Sequence, residues 1–394
     1  MQTTPIIILL FIGYIIFSID KKKEDFPVPP ILVLLGIALS FIPYFSSIEV
    51  TKDLIYHILL PALLFISAYR FPPSALKRNG GIIGFFATIG IILTILLLGG
   101  AIYAAASPFV SLSFIGCLVI ASMLTPTDPV SVVSILEQST GNKLMADIVE
   151  GESLINDGTS IVIFTVLSGM YLQNTQFSIG KLLGEFFIIS LGGIILGLAV
   201  GWLFSKAIHI THHKEYQVML SIILAYGVFN AAELAGVSGV LATVFAGIML
   251  SFEFERSIKE DHFRESLDGF WGVIEISILS LLFLLIGIVA AHHLSFNNLG
   301  LAFVIFLASL VVRIVIITGT TQLFPAWRNK ITWKESILLS WSGLKGSMSV
   351  FLILSLQAKE SQHTDLIISL TFTAVLLSLF VQSIGIHPLS KKLR

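Results

Sequence analysis

Long apolar runs separated by short polar segments fill the chain from end to end. A run of about 17 to 25 mostly apolar residues is long enough to cross a bilayer as a helix. Thirteen such runs predict membrane spans at approximately 5–19, 28–44, 54–69, 81–106, 110–136, 146–171, 182–205, 216–234, 237–252, 271–291, 299–320, 335–357 and 366–387. The pattern predicts an all-α polytopic membrane protein.

The charges between the runs test this count, because a missed span would exchange the sides of every later loop. With the N-terminus outside, eighteen of the 23 Lys and Arg residues fall in cytoplasmic segments and three in outer ones. Two more, Arg313 and Lys345, fall inside spans. This asymmetry predicts an odd number of spans and a cytoplasmic C-terminus in a cell (inner) membrane.

The amino-acid composition further limits the class of protein to which the chain can belong. Hydrophobic residues make up 55% of the 394 residues and charged residues 12%, against roughly a quarter charged in soluble proteins. Residues 253–270 form the longest connector, so we expect one transmembrane domain over 1–394 and no soluble regulatory domain. Lipid is the expected surrounding, nucleic acid is not an expected partner, and no G-x-x-x-x-G-K-[ST] motif indicates ATP-driven transport.

The fifth span carries two prolines around a polar centre, in the order Pro126, Thr127, Asp128 and Pro129. Two prolines three residues apart remove two backbone donors and disfavour the helix before them. Interrupted helices in transporters expose backbone groups that coordinate ions. The alternative is a simple proline kink, which does not explain a carboxylate at the break.

The sixth span holds three acidic residues in eight. At about 100° per residue, Glu150, Ser153 and Asp157 lie on one stripe, whereas Glu152 and Asn156 share another. Asp157 is about eleven residues into the span, close to the bilayer centre. A carboxylate there must be protonated, paired or bound to a cation, so Asp157 is the main candidate for an ion site.

Two further spans carry intramembrane basic residues. Arg313 needs an anionic partner, and Glu152, on the stripe away from Asp157, is the expected one in a structural ion pair. In the twelfth span, Lys345 lies between Gly343 and Gly346, which predicts a second interrupted helix. Paired interruptions in two halves are typical of inverted repeats, here spans one to six and eight to thirteen.

These motifs resemble those of the NhaP-type sodium/proton antiporters of the monovalent cation/proton antiporter superfamily. The resemblance rests on Thr127-Asp128-Pro129, the run from Glu150 to Gly158, Leu60-Pro61, Ser238-Gly239, Ala246-Gly247, Arg313 and Gly343-Leu344-Lys345-Gly346. It covers nearly the whole chain. The Asn156-Asp157 pair with its Glu-Gly-Glu-Ser lead is the most specific part.

The resemblance implies a homodimer and a secondary antiporter that exchanges Na⁺ for H⁺ by alternating access, without net charge movement. It implies that Asp157 is the shared ion and proton site, with Ser153 as a further Na⁺ ligand and with Asn156, Asp128 and Thr127 contributing. No cofactor and no enzymatic activity are expected. Two departures stand out, because the family often has an acidic residue where this chain has Ile66 and usually has arginine in place of Lys345.

Other functions remain open at this level. Li⁺ or K⁺ could replace Na⁺ in an antiporter of the same fold, because selectivity depends on cavity size and dehydration. A passive cation channel needs a continuous polar pore, whereas the polar residues here cluster at one level. An intramembrane aspartyl protease needs two carboxylates that share a proton, and Asp128 and Asp157 lack the G-x-G-D context of such enzymes.

Overall fold

A computed structural model of the chain describes the residues 3–20, 27–46, 48, 51, 53–129, 132–133, 136, 143–173, 176–208, 213–256, 261–293, 298–357 and 364–393. Every regular element among these residues is helical. Seven of the helices are long and apolar enough to cross a membrane, and five shorter apolar helices accompany them. The predicted all-α membrane fold is confirmed.

Fifteen helices of nine residues or more lie within the described ranges. They are α1 Thr3–Asp20, α2 Val28–Ser40, α3 Leu60–Arg70, α4 Pro73–Phe85, α5 Ile91–Ala106, α6 Phe114–Met123, α7 Lys143–Leu172, α8 Ile179–Ile208, α9 Lys214–Leu234, α10 Gly239–Arg256, α11 Asp261–His293, α12 Leu299–Leu323, α13 Trp333–Trp341, α14 Ser347–Gln357 and α15 Thr364–Leu393. π-helical turns at Leu54–Leu59 and Phe86–Gly90 continue into α3 and α5.

Each of the thirteen predicted spans contains helix, and several helices run past the predicted ends, whereas the spans at 110–136 and 335–357 are interrupted. The largest difference concerns 253–270, which the charge pattern predicts to be a connector. There α10 continues to Arg256 and α11 already begins at Asp261. Hydropathy detects only the lipid-buried part of a helix, so the charged turns that extend beyond it are missed.

Small residues allow two pairs of helices to approach closely. Gly36 on α2 faces Gly287 on α11, and a Cβ added to either would collide with the backbone of the other helix. Along α8, glycines at intervals of four residues face the small residues of α10 in the same way. Without a hydrophobic driving force between helices in lipid, such close backbone contact favours association.

The helix α7 lies at the centre of the bundle. Of its most apolar 18-residue window 83% is buried, against 28% for α8, so α7 is surrounded by protein and α8 is peripheral. It packs against α4, α6, α8 and α10 and also contacts the interrupted pair α13 and α14. The helix that carries the candidate carboxylate is therefore held on all sides by other helices.

Candidate ion site

Two interrupted spans meet beside α7. In one, α6 ends at Met123 and helical hydrogen bonding resumes after Pro129, where Val133 N donates to Pro129 O at 3.0 Å. In the other, α13 ends at Trp341 and α14 begins at Ser347. The interruptions touch directly, because Asp128 N donates to Leu344 O at 2.8 Å. Proline chemistry explains the first break.

Glycine explains how the second break fits against its neighbours. A Cβ at Gly346 would collide with the carboxyl group of Asp128, and a Cβ at Gly343 would collide with the guanidinium of Arg313. Neither position has room for a side chain without displacing a charged group. The two glycines of this motif therefore permit close packing at the crossing.

Each break places a charge at a helix end of the other span. Asp128 lies against Gly346, next to the N-terminus of α14, where free N–H groups and the helix dipole favour an anion. Lys345 is 5% exposed and borders the same small cavity as Leu124 and Thr125, which follow the C-terminus of α6. A cation is favourable at that end, so the two charges offset the two dipoles.

A cavity of about 240 Å³ lies next to this crossing. Polar side chains from α7 and from the first break face it, together with Glu275 of α11 and Ser67 of α3. Its polar lining consists of Ser67, Thr127, Asp128, Glu150, Ser153, Asp157, Glu275 and Ser347. The predicted stripe of α7, with Glu150, Ser153 and Asp157, faces one wall of this space.

One carboxylate oxygen of Asp157 has no fixed donor among the described residues. This oxygen, Oδ1, is buried. An ionised carboxylate in that position is costly unless a proton or a cation compensates it. Asp157 therefore supplies a carboxylate that lines the cavity and has one oxygen without a donor among the described residues.

Two neighbouring side chains of α7, Ser153 and Asn156, connect it to the first break. Ser153 Oγ donates to the carbonyl oxygen of Thr127 at 2.5 Å. Asn156 Nδ2 donates to Thr127 Oγ1 at 2.8 Å and to Glu152 Oε1 at 3.0 Å. Asn156 therefore fixes the geometry of the break and of Glu152, while its own Oδ1 is buried without a partner among the described residues.

Glu152 has a different environment from Asp157. Arg313 donates to both of its carboxylate oxygens, from Nη2 at 2.7 Å and from Nη1 at 3.1 Å. A cavity of about 20 Å³ beside the pair is also bordered by Lys345. Because two cations and the Asn156 amide surround this carboxylate, it has little capacity left for a transported ion.

Two acidic residues outside the predicted site form ion pairs with basic residues of neighbouring helices. Glu275, which lies at a span end, faces the cavity and forms an ion pair with Arg70 of α3. Asp147, 4% exposed near the start of α7, accepts from Arg78 Nη2 of α4 at 2.6 Å. Helical periodicity gives the face on which such a residue lies, but the neighbouring helix that completes the pair is not local in sequence.

The structure also locates Ile66, the position at which the family often has an acidic residue. Ile66 is 1% exposed, and the residues of α3 that line the cavity are Leu60, Leu63, Leu64 and Ser67. Ile66 therefore does not line this cavity. In this arrangement Glu275 contributes the acidic group on the wall shared by α3 and α11.

A helical bundle in which two interrupted spans cross beside buried carboxylates is the architecture of ion-coupled secondary transporters. The chain belongs to the sodium/hydrogen exchanger family, since the family profile described as "Sodium/hydrogen exchanger, transmembrane" matches residues 6–392.

The chain is also similar in sequence to proteins named as Na(+)/H(+) antiporters, which is consistent with this family. The chain is 31% identical to the Na(+)/H(+) antiporter NhaG of Bacillus atrophaeus, over 96% of this chain and 72% of the relative. It is also 31% identical to the Na(+)/H(+) antiporter NhaP of Pseudomonas aeruginosa, over 85% of this chain and 80% of the relative. In fold it is similar to the sodium proton antiporter MjNhaP1 of Methanocaldococcus jannaschii, with a TM-score of 0.77 at 20% identity, covering 99% and 98% of the two chains.

Proposed function

We propose that this chain is a secondary antiporter that exchanges Na⁺ for H⁺, and that Asp157 holds the proton and the cation in turn. One observation carries the assignment of the site. Asp157 Oδ1 is buried without a partner among the described residues, and its side chain faces a cavity of about 240 Å³ beside two interrupted helices.

Oxygen atoms around Asp157 are suited to a small hard cation. Carboxylate, hydroxyl and carbonyl oxygens are the ligands that such cations prefer. Asp157 and Ser153 are the proposed Na⁺ ligands, with Asp128 and the Thr127 segment adding oxygens from the break. Asn156 positions the Thr127 hydroxyl through its amide. Glu152 and Arg313 remain a structural pair.

Competition at one carboxylate produces exchange. A cation binds only the deprotonated form of Asp157, so Na⁺ and H⁺ exclude each other. The empty ionised form is costly to enclose in the membrane, which favours movement of the loaded forms. The site therefore opens alternately to the two sides while occupied by one ligand or the other, and one Na⁺ moves against one H⁺ without net charge.

The cation and the assembly are parts of the same proposal. Na⁺ is the proposed substrate, and Li⁺ or K⁺ transport at the same site is the alternative for the test. We further propose a homodimer in the cell membrane, with the N-terminus outside and the C-terminus in the cytoplasm. Single cysteines in a Cys117→Ala background, labelled from each side of sealed vesicles, test the orientation.

Proteoliposomes that contain the purified chain and a pH-sensitive dye test the function. We expect a Na⁺ gradient to drive proton movement and Asp157→Asn to abolish it. Parallel gradients of Li⁺ and K⁺ identify the cation, and solid-supported membranes measure current. Proton movement without any cation gradient dependence, or a current carried by Na⁺ alone, would refute exchange in favour of a channel.

A further inference from the structure

A second cavity, of about 100 Å³, shares no lining residue with the ion cavity and is bordered by two basic side chains. It is enclosed by the middle of α4, the first turns of α7 and the segment that follows α12. Arg78 and Lys330 border it, together with Asn79 and Trp327. A single water needs only about 10 to 15 Å³ of such volume, so this cavity has room for a larger group.

The cavity is lined by a residue with a donor that lacks an acceptor among the described residues. Asn79 is 3% exposed, and its Nδ2 has no hydrogen-bond partner among the described residues. Buried amide groups in proteins are nearly always paired, with protein, water or a ligand. An amide donor between two basic side chains is suited to an anion that offers several acceptor oxygens.

Arg78 can serve such an anion while it keeps its present partner. One of its nitrogens, Nη2, donates to Asp147 Oδ2 at 2.6 Å, and the side chain is 59% exposed. A guanidinium has five N–H donors in a planar fork, which suits bidentate recognition of phosphate. The Asp147 contact fixes the orientation of this fork at the edge of the cavity.

The position of the cavity indicates the source of the anion. All three enclosing segments lie towards the ends of candidate membrane spans, since α4 forms the first part of the continuous helix Pro73–Ala106. This position indicates that the cavity is near one face of the membrane. Trp327 packs on Phe324 and Phe85, with ring centroids 4.7 and 5.3 Å apart, and Phe324 is 41% exposed. Aromatic clusters of this kind mark the headgroup level of the bilayer, and basic pockets between helix ends bind anionic headgroups.

We infer that this cavity binds the phosphate group of an anionic phospholipid, held by Arg78, Lys330 and the Asn79 amide. The site is separate from the proposed exchange site, and its occupancy does not depend on transport. It adjoins the ion pair that ties α4 to α7, the helix that carries Asp157. Inorganic phosphate shares the chemistry of the headgroup but not the anchorage by acyl chains.

Lipid titration of the purified full-length chain, followed by native mass spectrometry, tests the site. The probes are phosphatidylglycerol, phosphatidylcholine and, in thermal-unfolding competition, inorganic phosphate. Loss of one charged hydrogen bond is expected to weaken phosphatidylglycerol binding about tenfold in Lys330→Gln. Asn79→Asp, which places a negative charge in the cavity, is expected to weaken it at least as much. Arg78 is left intact because its loss would strand the buried Asp147.

Lys334→Gln is the matched control. It also removes one lysine charge, four residues after Lys330, but the Lys334 side chain does not line the cavity. It is expected to bind phosphatidylglycerol as the unmodified chain does. Equal binding by Lys330→Gln and Lys334→Gln would overturn the site, and this comparison stands even if Asn79→Asp fails to fold. If inorganic phosphate protects the chain against thermal unfolding as strongly as phosphatidylglycerol does, the ligand is a free anion and the lipid assignment is overturned.

Discussion

Glu152 and Asp157 are five residues apart on α7, both lie deep in the bundle, and their surroundings are opposite. Glu152 receives a bidentate contact from Arg313 and a third donor from Asn156. Asp157 has an oxygen without any partner among the described residues and faces a cavity. The comparison teaches that burial does not by itself distinguish an ion site from a structural pair. The number of fixed donors around the carboxylate does.

The largest expected effect comes from removing the charge of Asp157. Asp157→Asn can hold neither a proton nor a compensating charge, so exchange should fall by at least about a hundredfold, the scale of losing a buried charged interaction. Dye-based exchange in proteoliposomes measures it. Asp365→Asn, an exposed acid in the first turn of α15, is the control. Substantial Na⁺-driven proton movement by Asp157→Asn would remove this residue from the mechanism.

Removing Arg313, the partner of the Glu152 carboxylate, should lower the stability of the fold. Arg313→Ala leaves Glu152 buried without its cation, and the expected cost is about 3 to 5 kcal/mol of stability. Thermal unfolding in detergent measures the change, with the exposed Arg328→Ala as the control. Glu152→Gln combined with Arg313→Gln should recover part of the loss. If the single and double variants are simply additive, the two residues do not act as a pair.

A smaller effect is expected from competition between protons and Na⁺ at Asp157. Na⁺ binds only deprotonated Asp157, so the apparent dissociation constant is the intrinsic constant divided by the deprotonated fraction. Below the pKa of the site, each unit of falling pH should therefore weaken apparent Na⁺ affinity about tenfold, and above it the affinity should level off. Exchange rates against Na⁺ concentration at several pH values measure this. A half-saturation constant that stays flat across the range contradicts a shared site.

The smallest expected effect concerns Ser153. Its hydroxyl donates to the Thr127 carbonyl and borders the cavity, so Ser153→Ala should weaken Na⁺ half-saturation about threefold to tenfold, as for one lost hydrogen-bonding group. Ser160→Ala is a matched control, because this buried serine lies on the same helix and does not line the cavity. Indistinguishable kinetics in the two variants would exclude Ser153 as a ligand.

Much of this organisation can be predicted from the sequence, for identifiable reasons. Hydropathy locates the spans because lipid excludes unpaired backbone and charge. Pro126 and Pro129 predict the first break because each lacks a backbone donor. Helical periodicity separates the stripe of Asp157 from that of Glu152.

What the sequence does not supply is the identity of neighbouring helices. Glu275 reaches the ion cavity and Arg78 reaches Asp147 only because α11 and α4 pack where they do. The start of α11 at Asp261 is missed for another reason. A charged turn that extends a helix beyond the membrane has the same composition as a loop, and hydropathy does not separate the two.

The hydrogen bond between Asp128 N and Leu344 O has a mechanical consequence. It joins main chain to main chain, so the contact is insensitive to which side chains occupy these positions, except for a proline at 128. Two segments that lack their own helical hydrogen bonds are therefore hydrogen-bonded to each other at their interruptions. We therefore expect a displacement of one broken span to move the other with it, because separating the two would break this bond.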